Sequence, residues 1–141
     1  MTELKDLTIE EFAKVTASDA PAPGGGSVAA AAGSLAAALA EMVANLTIGK
    51  EKYAEAENEM RELAEKGQAI REKLIADIQR DSSSFNLYMA ALRMPKDTEE
   101  EKAARREAMQ RGLKEAAVVP LSVAETAAEI FPLAEAAVAR G

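Results

Sequence analysis

The chain has 141 residues, a formal net charge of −7, neither histidine nor cysteine, and 48% hydrophobic residues against only 4% aromatic ones. Without His and Cys there are no disulfides, zinc fingers or Ser-His and Cys-His catalytic pairs, so chemistry falls to carboxylates, Lys, Tyr, Ser and backbone amides. The negative balance argues against non-specific nucleic-acid binding, which rests on neutralising phosphates with Lys and Arg. An apolar set of Ala, Leu, Val, Ile and Met is helical-bundle composition, and at this length a partner subunit is a natural way to finish the core.

The first fourteen residues include Glu3, Lys5, Asp6, Glu10 and Glu11, which excludes the apolar core of a secretory signal. Thr8 and Glu11 form a capping-box pattern, and Leu7, Ile9, Phe12 and Val15 predict a short amphipathic helix that stops near Thr16 to Ser18. A loop over 19–26 carries Pro21-Ala22-Pro23-Gly24-Gly25-Gly26 and leads into Ser27, the expected N-cap of a second helix reaching about Thr47 or Tyr53. In that helix Ala29, Gly33 and Ala37 recur every four residues, a row that lets a neighbouring helix come close. The stretch 20–40 is free of charge but broken by two prolines and three glycines, so a soluble cytoplasmic protein is expected rather than a membrane span.

A third and longest helix is predicted from about Glu51 to Met94, ended by Pro95. Its stripe runs Tyr53, Ala56, Met60, Leu63, Gly67, Ile70, Leu74, Asp77, Asp81, Ser84 and Tyr88, in alternating steps of three and four that read as a packing seam. Two carboxylates thus occupy positions where apolar residues are expected. Thr98 with Glu101 is a second capping box and opens a last helix, with Met109, Gly112 or Leu113, Ala116 or Ala117, and Pro120 inward. Pro120 should kink that helix by removing a backbone donor. No strand-like alternation occurs, so the expected fold is an all-α antiparallel bundle of long helices.

The Gly24-Gly25-Gly26-Ser27 segment suits either a phosphate or carboxylate cradle at a helix N-terminus or a tight turn before a closely packed helix. It is neither a Walker loop nor a Rossmann fingerprint, since the Lys and the preceding strand are both missing. Asp81, among Leu74, Ile78, Phe85 and Tyr88 on one helical face, should be desolvated with its pKa raised, a group able to exchange protons. The alternative is a solvated face beside Asp77 and Ser82 to Ser84. Lys50, after Thr47-Ile48-Gly49, could hold a carboxylate or a polarised carbonyl, or simply complement a helix C-terminus. Asn45 could donate to a ligand or satisfy backbone at a helix end.

Pro21-x-Pro23-Gly24-Gly25-Gly26-Ser27, Met42-Val43-Ala44-Asn45-Leu46-Thr47 with Lys50 and Tyr53, Asp81-x-x-x-Phe85, and the Ala-Ala-x-x-Pro120 turn occur in this order over nearly the whole chain. Together they resemble the C-terminal family of formiminotransferase-cyclodeaminase, which includes stand-alone methenyltetrahydrofolate cyclohydrolases. Members usually continue for a further helical segment that begins with a Gly-Asn-rich turn, whereas this sequence ends at Arg140-Gly141. The expected organisation is one helical domain over 1–141 without that segment, as a fragment or a shortened member.

The resemblance implies an all-helical homodimer that binds a reduced folate and acts on the one-carbon unit at N5 and N10, without metal or cofactor beyond the tetrahydrofolate substrate. It implies either hydrolysis of 5,10-methenyltetrahydrofolate to 10-formyltetrahydrofolate or cyclisation of 5-formiminotetrahydrofolate with loss of ammonia. Asp81 and Lys50 are then the catalytic candidates, and Pro23, Gly24, Gly25, Gly26, Ser27, Asn45, Tyr53 and Phe85 the substrate-binding ones. The alternative is a non-catalytic helical dimerisation or folate-binding module.

Overall fold

Alternating steps of three and four along a helix bring apolar side chains onto one face, and burial of such faces drives the assembly. The computed structural model describes residues 2–141, all of whose regular elements are helical. A 3-10 turn at Leu4–Asp6 precedes α1 (Ile9–Thr16), α2 (Gly25–Thr47), a second 3-10 segment (Glu51–Ala56), α3 (Glu57–Leu92), α4 (Glu99–Ala128) and α5 (Ile130–Arg140). The chain divides into two compact units, residues 1–28 with 77–122 and residues 29–76 with 123–141.

In the second unit α2 and α3 run antiparallel. A Cβ on Gly33 would lie 3.0 Å from Leu74 Cδ1, and one on Gly67 would meet Glu41 Cγ at 2.7 Å, so rising numbers in α2 face falling numbers in α3. Ala30, Ala37, Ala40 and Ala44 of α2 are buried with Met60, Leu63, Ile70 and Leu74 of α3 and Leu133 and Ala137 of α5. Full burial of Met60 and Leu74 contributes about 1.5–3 kcal/mol each. Gly67 leaves room for the Glu41 side chain to reach Arg71 Nε at 2.6 Å, and this nearby carboxylate raises the guanidinium's pKa. Lys73 Nζ donates to Thr126 Oγ1 at 2.8 Å.

In the first unit α3 and α4 approach closely enough that a Cβ on Gly112 would lie 2.8 Å from Tyr88 Cα. Arg105 Nη2 donates to the Leu92 carbonyl at 3.2 Å, and the Leu4 amide donates to Gln79 Oε1 at 2.9 Å. Both predicted capping boxes form: Glu11 N–H donates to Thr8 Oγ1 while Glu11 Oε2 accepts from the Thr8 amide, and Thr98 and Glu101 repeat the pattern.

The α3 stripe is buried as its spacing predicts, from Ala56 to Leu74 and on through Asp77, Asp81 and Ser84. Other expectations need correcting. Ser27 is not an N-cap: α2 already begins at Gly25, and the Ser27 amide meets a carboxylate from α3. Residues 51–56 form a 3-10 segment in which Tyr53 leaves helical geometry (φ −113°, ψ 21°), so α3 starts only at Glu57 and ends at Leu92. Ala29 faces outward. The expectation of Gly112 or Leu113 inward in α4, by contrast, holds with Gly112 as the buried one, because only a residue without Cβ fits against the Tyr88 backbone. Pro120 lies inside α4, and helix resumes beyond it as expected.

By length and composition, α2 and the helical run 99–140 are long and apolar enough to cross a membrane. The packed face of α2 nevertheless carries Ser34 and Thr47, both buried, and the ion-paired Glu41.

Candidate functional site

The first turn of a helix has amides without intrahelical partners and a partial positive charge. In the first unit that turn belongs to Gly25, Gly26 and Ser27, and Asp81 answers it from α3. The Ser27 amide donates to Asp81 Oδ2 at 2.9 Å. The Ser27 hydroxyl stands between the Ile78 carbonyl at 2.8 Å and Asp81 Oδ2 at 3.2 Å. Ser27 is fully buried and Asp81 is 8% exposed, so the carboxyl is desolvated as expected.

The three glycines have different duties. A Cβ on Gly26 would collide with the Asp81 carboxylate, so this glycine lets the acid lie against the backbone. Gly24 and Gly25 have no neighbour within 4 Å of the position a Cβ would take. Neither has a positive φ, a conformation found among the glycines only at Gly49 (φ 78°). Neither helix packing nor backbone conformation within the chain therefore accounts for Gly24 and Gly25; they leave open space.

That space is a cavity of about 230 Å³ bounded by Pro21, Gly24, Gly25, Asp81, Phe85 and Pro120. The loop leading into α2 includes a cis Ala22–Pro23 peptide, with Pro23 buried. Of the predicted site residues, Pro23, Gly24, Gly25, Gly26, Ser27, Asp81 and Phe85 are thus gathered in one unit. Ser82, Ser84 and Ala116 also line the cavity and were not assigned to the site from sequence. The serines belong to a run that could equally be a solvated face. Ser82 and Ser84 are in fact buried, and Ser84 Oγ donates to the Asp81 carbonyl at 2.7 Å. Asp77, 2% exposed, pairs with Arg80 Nη1 at 3.3 Å, a structural role.

Asn45, Lys50 and Tyr53 belong to the second unit. Asn45 and Lys50 are exposed. Gly49, with its left-handed φ, turns the chain out of α2, and its amide donates to Glu57 Oε2 at 2.9 Å. That bond, with Arg61 beside it, holds the Glu57 carboxyl below its ordinary pKa. Lys52 Nζ sits 5.2 Å from the centre of the Tyr53 ring.

The chemical content of the first-unit site is a buried carboxylate on the wall of a small cavity whose floor is unobstructed backbone. Comparisons with known proteins give the chain's relatives. The formiminotransferase-cyclodeaminase family matches residues 8–141. A methenyltetrahydrofolate cyclohydrolase of Methylorubrum extorquens is 45% identical over 134 residues, 95% of this chain and 64% of that protein. A formimidoyltransferase-cyclodeaminase of Sus scrofa is 40% identical over 124 residues, 88% of this chain and 23% of that protein. The chain therefore spans less than two thirds of the length of these relatives. The crystal structure of a formiminotetrahydrofolate cyclodeaminase from Thermotoga maritima superposes with a TM-score of 0.70 at 28% identity, covering 96% of this chain and 78% of that one.

Proposed function

The chain belongs to the formiminotransferase-cyclodeaminase family, and from that premise we propose that it transforms the one-carbon unit carried between N5 and N10 of a reduced folate. The observation that supports this reading is Asp81, buried against the first amides of α2 beside the open backbone of Gly24 and Gly25. The favoured reaction is hydrolysis of 5,10-methenyltetrahydrofolate, the activity named for the 45% identical relative that matches 95% of this chain. Water adds to the methenyl carbon, the bond from that carbon to N5 breaks, and N5 gains a proton. In this scheme Asp81 takes one proton from the attacking water and passes it to N5 as the carbon–N5 bond breaks, while the remaining hydroxyl proton is released to solvent as the formyl C=O forms; such proton transfer is typically worth 10²–10⁴-fold in rate. Its negative charge also favours the cationic methenyl group.

A second reading is cyclodeamination, named for the structural neighbour. There N10 attacks the formimino carbon and ammonia leaves after protonation, so the same acid serves. For Lys50 we propose assistance in proton transfer or in orienting substrate, and for Asn45 and Tyr53 contacts to substrate, on their motif alone. No metal or redox cofactor enters either scheme.

Loss of methenyltetrahydrofolate absorbance faster than its spontaneous hydrolysis tests the first reaction; appearance of that absorbance from 5-formiminotetrahydrofolate tests the second. If neither occurs, both readings fall. Calorimetric titration with 5-formyltetrahydrofolate then separates a non-catalytic folate-binding module from a helical module that binds no folate.

The active form we propose is a cytoplasmic homodimer, with neither membrane nor nucleic acid as partner. Along the outer face of α2, Leu35, Leu39, Met42 and Leu46 are 63%, 60%, 49% and 64% exposed. Their steps of four, three and four form a narrow coiled-coil seam, fitted to one partner helix rather than to a lipid surface. The only charged residue of α2, Glu41, turns inward to Arg71. A charge-free seam on a chain of net charge −7 suits a second copy, which presents the same neutral surface without repulsion.

A further inference from the structure

A second cavity of the first unit, about 440 Å³, is lined by Lys96, Lys102, Arg105, Arg106, Met109, Gln110 and Leu113, with no acidic residue in the lining. Four cations surrounding one concavity are unexpected in a chain with 24 acidic and 17 basic residues, because like charges held together repel unless an anion joins them. Lys102 is partly neutralised by Glu99 at 2.6 Å. Arg105 is the more telling residue. Its Nη2 is anchored on the Leu92 carbonyl at 3.2 Å, yet its Nε is the one buried side-chain nitrogen or oxygen without a hydrogen-bond partner among the described residues. A buried donor left unmade costs stability, so an oxygen acceptor is what this guanidinium lacks.

We propose that this cleft binds a small molecule carrying two or more oxyanion groups, which the guanidinium forks of Arg105 and Arg106 and the ammonium of Lys96 recognise while Met109 and Leu113 contact its apolar part. Arginine forks match carboxylate and phosphate alike. The volume falls within the ordinary range for small-ligand sites. The cleft is separate from the Asp81 cavity, although both use α4: the residues that line the latter, Ala116 and Pro120, stand roughly one to five turns further along the helix. Two sources share the required chemistry, the carboxylate-bearing tail of the folate substrate and an independent polyphosphate compound. Only the first rests on the folate reading.

The test is calorimetric titration of the full chain, without folate, using tri-γ-glutamate as one probe and inorganic tripolyphosphate as the other, at 50 and 500 mM salt. Saturable one-to-one binding that weakens with salt and falls tenfold or more in the Lys96→Gln/Arg106→Gln variant is the expected result. Binding of tri-γ-glutamate alone assigns the cleft to a polycarboxylate tail, and binding of tripolyphosphate alone assigns it to a phosphate compound. Absence of saturable binding by either probe at millimolar concentration, or equal binding by the double variant, overturns the proposal. Arg105→Lys keeps the charge but removes Nε and should also weaken binding; if it fails to fold, the exposed Lys96 and Arg106 pair still decides. Because no folate is present, failure here leaves the methenyltetrahydrofolate assay untouched, and failure of that assay leaves the anion site standing.

Discussion

The amide of Ser27 donates to Asp81 Oδ2 at 2.9 Å across 54 residues of sequence, so the carboxylate of α3 satisfies the beginning of α2. The same pairing positions the acid at the edge of a cavity. Replacing Asp81 with Asn conserves shape, and the amide oxygen can still accept from Ser27. We expect Asp81→Asn to keep its far-UV circular dichroism and to lose turnover of methenyltetrahydrofolate by about 100-fold or more; full turnover in a folded variant removes Asp81 from the chemistry.

Neighbouring glycines should respond differently. Gly25→Val enters open space and should leave the melting temperature nearly unchanged while weakening 5-formyltetrahydrofolate at least tenfold in calorimetry. Gly26→Ala places a methyl group on the Asp81 carboxylate; it should cost about 1–3 kcal/mol of stability, the usual range for overpacking, and lower turnover as well. Equal affinity in wild type and Gly25→Val would leave this glycine without a ligand role.

Gly112 packs on the backbone of Tyr88, which cannot move aside as a side chain can. Gly112→Ala should therefore lower stability by about 1–3 kcal/mol despite the better helix propensity of alanine. A denaturant titration that shows stabilisation would contradict the close approach of α3 and α4.

The outer seam of α2 predicts self-association. Wild type should sediment as a dimer and Leu39→Glu as a monomer with unchanged helicity. Because the chain has no cysteine, single cysteines at 35, 39, 42 and 46 report proximity directly, and at least one should form an intermolecular disulfide under mild oxidation. A monomeric wild type, or one that floats with phosphatidylcholine vesicles instead, argues against the homodimer.

Two carboxyls give a pH dependence of known sign. The Thr8 amide, then its hydroxyl, lowers the pKa of Glu11, and the Gly49 amide, then Arg61, lowers that of Glu57, both from 4.5. A carboxyl more acidic in the folded state stabilises fully above its unfolded pKa and loses that contribution as pH falls through the folded value. Wild type should thus melt at a higher temperature than Glu11→Gln/Glu57→Gln at pH 7, with the difference shrinking below about pH 4.5; a gap that widens on acidification would refute the assignment.

Helix periodicity is a local property, and the sequence by itself therefore determined the apolar seam of α3 from Ala56 to Leu74, whereas the alternatives of a buried or a solvated face at Asp77 and Asp81 were decided for burial only by the packing around them. Local side-chain chemistry likewise determined the two capping boxes. Only the tertiary structure decided the work of Ser27: by local rules it caps α2, but a carboxylate brought from α3 takes the amide, and the helix starts at Gly25, three residues before the start that cap implies. The same contact divided three consecutive glycines into one that accommodates Asp81 and two that face open space. The four cations of the second cleft, spread over 96–106, read in sequence as an ordinary charged surface. Their convergence, and the unpartnered nitrogen of Arg105, exist only once α4 has folded back along α3, because spacing along the chain specifies which face a residue occupies but not which distant group it will meet.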